Sequence, residues 1–595
     1  MPTDAAPAPA SSAPLHEITP RGVVLGVGLA LLLGAANAYL GLYAGLTVSA
    51  SIPAAVVSMA VLRILGGATI LENNFVQTIA SAGEAVAAGA IFTFPAIVIL
   101  GHHGPLPYLE VTALSAAGGT MGALLVVFLR RAYIVEERLP FPEGLACAEV
   151  LRAGANRALL SPLAWGGVLA AAVKGAQDVL GIVPGAISGA RWIGGAVIGG
   201  SIDLSAALLG IGYIVGLRIA GLVFAGGAFA WLFAIPILAV VRGGPHDLDP
   251  ARVAASLWSA QVRYLGVGAM LTGGIVTLWR LRSRIFIALQ DSIRVVRRGP
   301  ERELAREETD LSPRTIVTSV ALTIPLIFAL CLLIGATVLL SAAMAIVLAA
   351  IGFFAAAIAG YLTGLVGASN NPVSGVTVIV LLALAIFLRV AGVPAAVGPH
   401  LAILAGAVVC TAAAMAGDSL HDLATGYWVG ATPRALEIGV LLGAIVASLA
   451  MAPILNLLIA GYGIAGTPTA RAGALAAPQA FLMAKVTQGV FSGGLPWGMI
   501  AAGALLAALL AAIDAAAEKT GRSWRIPIMP VAIGLYLPFG LSVTIFIGAV
   551  VGRWLGKEQE GGPRLLFAAG MVAGEALMGV AAGAMVTAGM KLPIL

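Results

Sequence analysis

Charge is what this sequence has least of. Only 10% of its 595 residues are Asp, Glu, Lys or Arg, against roughly 25% in an ordinary soluble domain. A soluble chain of any size must cover its surface with polar groups, so this deficit excludes a conventional water-soluble fold. Cysteine is nearly absent: Cys147, Cys331 and Cys410 stand far apart with no CxxC, which argues against a disulfide framework and a structural zinc site. Aromatics make up 6%, and the few Trp and Tyr suit positions near membrane interfaces. No HExxH, GxSxG or GxGD motif is present, which speaks against a membrane-embedded enzyme. The Ala/Pro/Ser-rich start lacks a basic stretch before an apolar core, so it reads as a disordered tail and not as a signal peptide.

What fills the chain is apolar and small. Hydrophobic residues reach 60%, with 76 glycines and a mean hydropathy of +1.02. A bilayer as solvent accounts for the first figure, and close helix packing in lipid for the second. The net charge of +6 reflects basic residues in short loops that set orientation, with no sign of a nucleic-acid partner.

A span needs roughly 20 mostly apolar residues, and hydropathy predicts roughly 14–17 of them. Clear candidates run from 22–43 to 565–589; shorter, polar-marked segments at 67–82, 140–153, 184–200, 418–432 and 474–490 read as half-helices or re-entrant pieces. The expected fold class is therefore all-α and polytopic, with two repeated halves and broken helices. The chain divides into a tail at 1–20, a first half at 21–281, a charged loop at 282–313 and a second half at 314–595. Arg-rich sequence in that loop places it, with the N-terminus, in the cytoplasm of a cell membrane, on the pattern of a bacterial inner membrane.

The halves resemble each other. Glu84 and Pro95 match Asp422 and Pro433, both pairs 338 residues apart. Pro142-Glu143 matches Pro478-Gln479 at an offset of 336, and Gly212-Tyr213-Ile214 matches Leu535-Tyr536-Leu537. Ala38-Tyr39-Leu40 before Pro53 resembles Gly360-Tyr361-Leu362 before Pro372. The matches keep their order, as expected for duplication. Duplicated transporters hold substrate at the repeat interface near the midplane.

Polar groups inside the membrane are costly and point to function. Asn73, Gln77, Ser81 and Glu84 recur at helical spacing, with Glu72 and Asn74 adjoining, so they share one face. The plainer reading is interhelical hydrogen bonding. In the second half Asp418 and Asp422 stand one turn apart with His421 beside them; such a set can bind a cation, hold an amine or relay protons, or be a solvated turn. Asn370-Asn371-Pro372 and Ser51-Ile52-Pro53 break apolar runs, freeing carbonyls and aiming a helix N-terminus inward. Glu143, Glu149, Gln479 and Lys485 mark the paired short segments, as a gate or as snorkelling charges. Lys174 and Asp178 read as an ion pair, and His102-His103 is weak ground for a metal.

Five stretches together carry a family resemblance: NAYLGLYAGLTVSASIPAAVVSMAVLR at 37–63, ILENNFVQTIASAGEAVAAGAIFTFPA at 70–96, LPFPEGLACAEVLRAG at 139–154, GYIVGLRIAG at 212–221 and GDSLHDLATGYWVGATPRA at 417–435. They resemble the oligopeptide transporter family over nearly the whole chain. The resemblance implies an all-helical secondary transporter of roughly sixteen spans, in line with the hydropathy, generally proton-coupled, carrying small peptides or, in the yellow stripe-like branch, metal–chelate complexes. The quoted segments resemble the yellow stripe-like and prokaryotic side more closely, and the NPG and KIPPR motifs of the peptide branch are missing, which counts against a peptide without establishing a metal chelate.

The reading is a proton-coupled symporter working by alternating access, with a passive channel as the alternative and no enzymatic activity. Asn73, Asn74, Gln77, Ser81, Asn370, Asn371, Gln479, Lys485 and Tyr427 are the expected substrate contacts. Glu84, Asp418, His421, Asp422, Glu143 and Glu149 are the expected proton-coupling groups. No cofactor or metal is expected. The expected partners are the lipid bilayer, protons, a peptide or metal–chelate solute, and a second copy of the chain as a homodimer.

Overall fold

With no water in a bilayer core, each backbone N–H and C=O must find a partner within the chain, and helices provide it locally. The computed structural model describes residues 17–592 apart from 46, 48, 103, 155–156, 243–248, 274, 277–278, 280–305, 307–308, 369–370, 372, 469, 472, 494–495, 523, 557–561 and 591. The N-terminal tail before residue 17, His103, Asn370, Pro372 and most of the charged central loop thus lie outside the described residues. Among those described, nine helices are long and apolar enough to cross a membrane, and five shorter apolar helices accompany them. The protein is an all-α polytopic membrane protein.

Several helix starts follow from sequence. Thr19 and Thr69 cap α1 (Pro20–Ala44) and α3 (Ile70–Ile99) through their hydroxyls, satisfying amides that the first turn leaves open. Between them lies α2 (Ser51–Ile64), which restarts after a break that contains Gly45 at φ 71°. The sequence expectation of interrupted helices holds here. In the second half, the helix Val338–Val366 ends at Gly367 and a new helix opens at Val373.

Three expectations are corrected. Residues 67–82 belong mostly to α3, which continues without interruption through Glu84 to Ile99. Residues 418–432 are mostly the end of the 32-residue helix Gly398–Val429. Most of the polar side chains that made both segments look too hydrophilic to continue a helix are buried against neighbouring helices. Residues 184–200 form neither a half-helix nor a re-entrant piece: β1 (Ala186–Ile193) and β2 (Ala196–Asp203) make an antiparallel hairpin. Gly194 and Gly195, both at positive φ, supply the two-residue turn that matches strand twist. The predicted short helices at 140–153 and 474–490 appear as α5 (Pro142–Ala153) and Pro478–Ser492, after α4 (Tyr108–Arg130) and its π-helical extension.

The chain forms two compact units, each assembled from both halves of the sequence. The first comprises residues 1–162, 281–492 and 560–566; the second comprises 163–280, 493–559 and 567–595. In the first unit α3 packs against α1, and the Gly398–Val429 helix packs against Val338–Val366. Those two central helices also pack on each other, and small residues let them touch. A Cβ on Gly89 would sit 2.4 Å from the Cα of Thr411. In the second unit Lys174 and Asp178 form the expected ion pair at 3.1 Å. Glu575 accepts from Ser205 Oγ at 2.7 Å and from the Ala207 amide at 2.8 Å, closing the start of the helix Ala206–Val215.

Candidate functional site

The polar residues of α3 and of the Gly398–Val429 helix meet inside the first unit. Glu84 is buried and its two oxygens are used differently. Asn37 of α1 donates to Oε1 at 3.2 Å, and the Ala50 amide at the start of α2 donates to Oε2. A carboxylate at a helix N-terminus meets the positive end of the dipole, so the break between α1 and α2 is what receives this acid. Asp422 is wholly buried, and its Oδ1 accepts from Gln77 Nε2 and from Ser51 Oγ at 3.1 Å. Ser81 Oγ lies 3.2 Å from Ser51 Oγ, beside the same carboxylate. Three elements therefore converge on one pair of acids, one from each half of the sequence.

The short helix α5 adds a third acid. Glu143 Oε2 lies 3.7 Å from His421 Nδ1, and Glu143, Asp418 and Asp422 all act electrostatically on Glu84. Asp418 is half-buried. Gly144 brings α5 close: a Cβ there would meet the His421 carbonyl at 2.9 Å. Cys147, one turn beyond Glu143, is buried and hydrogen-bonded with Thr425.

Several buried polar atoms face this region without a hydrogen-bond partner. They are both side-chain atoms of Asn74, Gln77 Oε1, Ser419 Oγ, His421 Nε2, Asp422 Oδ2, Asn371 Oδ1 and Gln479 Oε1. An unpaired buried polar group costs free energy, so these atoms hold hydrogen-bonding capacity that no other described residue uses.

Other expected residues are placed around the cluster or away from it. Asn73 is committed locally, accepting from Ser58 Oγ at 3.0 Å and donating to the Thr69 carbonyl at 3.0 Å. Asn371 donates to Thr363 Oγ1 at 2.9 Å and to the Ala359 carbonyl at 3.1 Å. Gln479 donates to the Gly45 carbonyl at 3.4 Å. Lys485 donates to Gln488 at 3.1 Å on its own helix and lies 5.5 Å from the Phe481 ring. Tyr427 is half-buried and Glu149 is exposed. Glu72 pairs with Arg21 at 2.8 Å, and His102 reaches the Pro105 carbonyl at 3.4 Å.

Sequence reading missed Asn37, the Ala50 amide and the direct role of Ser51. Asn37 had a visible signal, as the lone amide in a long apolar run. The Ala50 amide had none, since a backbone donor is exposed by the break and not by a residue type.

A model of the OPT oligopeptide transporter protein family matches residues 17–586. The chain belongs to the oligopeptide transporter family. It is similar to a Haemophilus influenzae protein described by name as a candidate oligopeptide transporter, with 34% identity over 597 positions, covering 93% of this chain and 94% of that one. Family membership and the nine apolar helices make this an integral membrane transport protein. The expected leaning toward the yellow stripe-like branch is not confirmed by either comparison, both of which speak for the oligopeptide transporter family alone.

Proposed function

We propose that this oligopeptide transporter family member is a proton-coupled symporter of small peptides that works by alternating access. The observation that supports this reading is the cluster of buried Glu84 and Asp422 with half-buried Asp418 and Glu143, the last 3.7 Å from His421, flanked by unpartnered amide, hydroxyl and carboxylate atoms. Four carboxyl groups cannot all stay ionised in a desolvated site, so protons or a cationic group must enter with the cycle. A peptide brings an amine to pair with a carboxylate and amides to satisfy Asn74, Gln77 and Asn371. The name carried by the Haemophilus influenzae relative agrees with a peptide.

A metal–chelate complex is the second reading, favoured by the absence of the NPG and KIPPR motifs. A chelate rich in carboxylates would meet like charge here unless protons neutralise the cluster first.

Uptake into proteoliposomes tests both. Labelled di- to tetrapeptides and an iron–chelate complex are compared with and without an inward proton gradient. Saturable, gradient-stimulated peptide uptake that Glu84→Gln abolishes is the expected result. Gradient-stimulated chelate uptake alone would move the protein to the second reading. Undiminished coupled uptake by Glu84→Gln would remove Glu84 from the mechanism, and uptake that never saturates would indicate a channel.

A further inference from the structure

The two short helices of the first unit are latched in the same way, each to the opposite half of the sequence. Phe141 and Ala477 both have the left-handed conformation, with φ of 34° and 40°, although neither is glycine. Each stands immediately before the proline that opens a short helix, Pro142 and Pro478. Each donates its backbone N–H at 2.8 Å to the carbonyl near the end of a long helix from the other half: Phe141 to Gly364, and Ala477 to Leu42.

Two residues further on, each short helix meets the glycine that caps that same long helix. A Cβ on Gly367 would lie 2.5 Å from Glu143 Oε1, while Gln479 donates to the Gly45 carbonyl. Gly45 and Gly367 both cap at positive φ, 71° and 88°, with their N–H groups donating at 2.9 Å to the Gly41 and Thr363 carbonyls. The offset is 336 residues for every member of the short-helix side and 322 for every member of the cap side. Duplication has therefore preserved a strained hinge, a backbone latch and a side-chain contact together. Strain of this kind persists only where the surrounding contacts hold it, and it clusters at clamps and switch regions.

The short helices also pack on the elements that carry the cluster. α5 packs on the Gly398–Val429 helix and on α2, and Pro478–Ser492 packs on α3 and on Val373–Val390. We propose that these helices are the two gates of the transport site, hinged at Phe141 and Ala477, and that they unlatch in turn. Both latches are closed in the structure, so it represents the shut form of each gate. Release of either N–H lets its hinge residue return to negative φ and swings the helix off the acids. This inference rests on the cluster being the transport site, yet its test needs no substrate.

Cys147 is the native reporter, buried on α5 against Thr425. Two cysteine pairs lock the gates. For the first, Leu139→Cys with Gly364→Cys uses a position where a Cβ on Gly364 lies 3.0 Å from the Leu139 Cβ. For the second, Leu42→Cys with Ala477→Cys joins the two residues whose backbones are hydrogen-bonded at 2.8 Å. Sealed vesicles of each orientation are treated with a membrane-impermeant maleimide, and modification of Cys147 is read by mass spectrometry.

With either pair oxidised, labelling of Cys147 should fall at least about tenfold from one face and persist from the other. The protected face should be opposite for the two locks, and reduction should restore both. Protection of the same face by both locks, labelling that ignores the locks, or a wild type never labelled from either face would overturn the proposal. Ala477→Gly gives a check without a cross-link. Glycine takes positive φ freely, so the latch should hold longer and labelling through that gate should slow severalfold; an unchanged or faster rate would count against the hinge. Normal coupled uptake by Glu84→Gln would discredit the site assignment while leaving this result standing.

Discussion

Gln77 and Asp422 stand 345 residues apart and are joined by a hydrogen bond between fully buried side chains. The donor comes from the first half of the sequence and the acceptor from the second, so this contact is a direct tie across the repeat at the centre of the acid cluster. Ser51 supplies the second donor to the same oxygen. A buried carboxylate depends on such donors, each contributing about 1.5–3 kcal/mol.

Removing these donors should separate transport from folding by degree. Gln77→Ala leaves Asp422 with its serine partners Ser51 and Ser81, and the double variant Gln77→Ala, Ser51→Ala leaves it with Ser81. Gradient-driven uptake should fall at least about tenfold in the single variant and further in the double one. Thermal stability in detergent should fall by about 2 kcal/mol per donor. Uptake that survives the double variant would show that Asp422 does not need orienting for the cycle.

Asn74 makes the opposite case. Its carboxamide is buried with neither atom hydrogen-bonded, unlike Asn73 beside it, which is bonded at both ends. Asn74→Leu should keep or raise stability, since it removes an unpaired polar group that costs about 1–3 kcal/mol, yet it should weaken uptake. Asn73→Ala should lose about 1 kcal/mol of stability with a smaller effect on uptake. Stability lost in Asn74→Leu with transport intact would assign that amide a purely structural role.

The residues of the cluster were legible in sequence because carboxylates and amides stand out against an apolar background, and helical spacing placed Gln77, Ser81 and Glu84 together. Their partners were less legible. Nothing local tells Ser51 that its bond goes to Asp422, a contact created by tertiary packing. The breaks near Ser51 and Asn371 could be read from proline and asparagine, whereas the continuity of α3 through Glu72 and Asn74 could not. Hydropathy marks those residues as unfit for a span, and only the buried neighbours show otherwise. The hairpin at 186–203 was hidden for a related reason: its glycines resemble the small residues of packed helices, and the Gly194-Gly195 turn signal was lost among them.

Asp203, at the end of β2, carries a pH signature. Burial pushes its carboxyl up to about 6 from an ordinary value of 3.8; the Glu575 carboxylate adds to the rise and Lys174 opposes it. An acid raised in the folded state binds its proton more tightly there than when unfolded. Its contribution is therefore full below pH 4 and is lost as pH rises toward 6, by up to about 3 kcal/mol. Asp203→Asn removes that slope, so its stability relative to wild type should improve between pH 4 and pH 7. Thermal unfolding in detergent across that range checks it, and parallel curves for the two proteins would contradict the assignment.

The last prediction concerns how the halves interlock in the second unit. A Cβ on Gly212 would lie 1.9 Å from the Ile545 carbonyl, and a Cβ on Gly534 would lie 1.9 Å from the Val223 carbonyl. Both members of the first contact are 322 residues from those of the second, so one close approach is used twice, with each half supplying a glycine to the other's backbone. Neither carbonyl belongs to a flexible side chain that could yield, so the helices would have to separate. Gly212→Ala and Gly534→Ala should each cost at least about 1–3 kcal/mol and reduce the yield of monodisperse protein on size exclusion. Gly28→Ala, where a Cβ meets nothing within 4 Å, is the control and should gain slightly from better helix propensity. The two contacts join different helix pairs, Ala206–Val215 with Phe539–Leu555 and Leu217–Phe229 with Ile528–Tyr536, so a combined cost below the sum would mean that parting one pair loosens the other. Costs that simply add would mean that the contacts are independent and that other packing keeps the repeat in register.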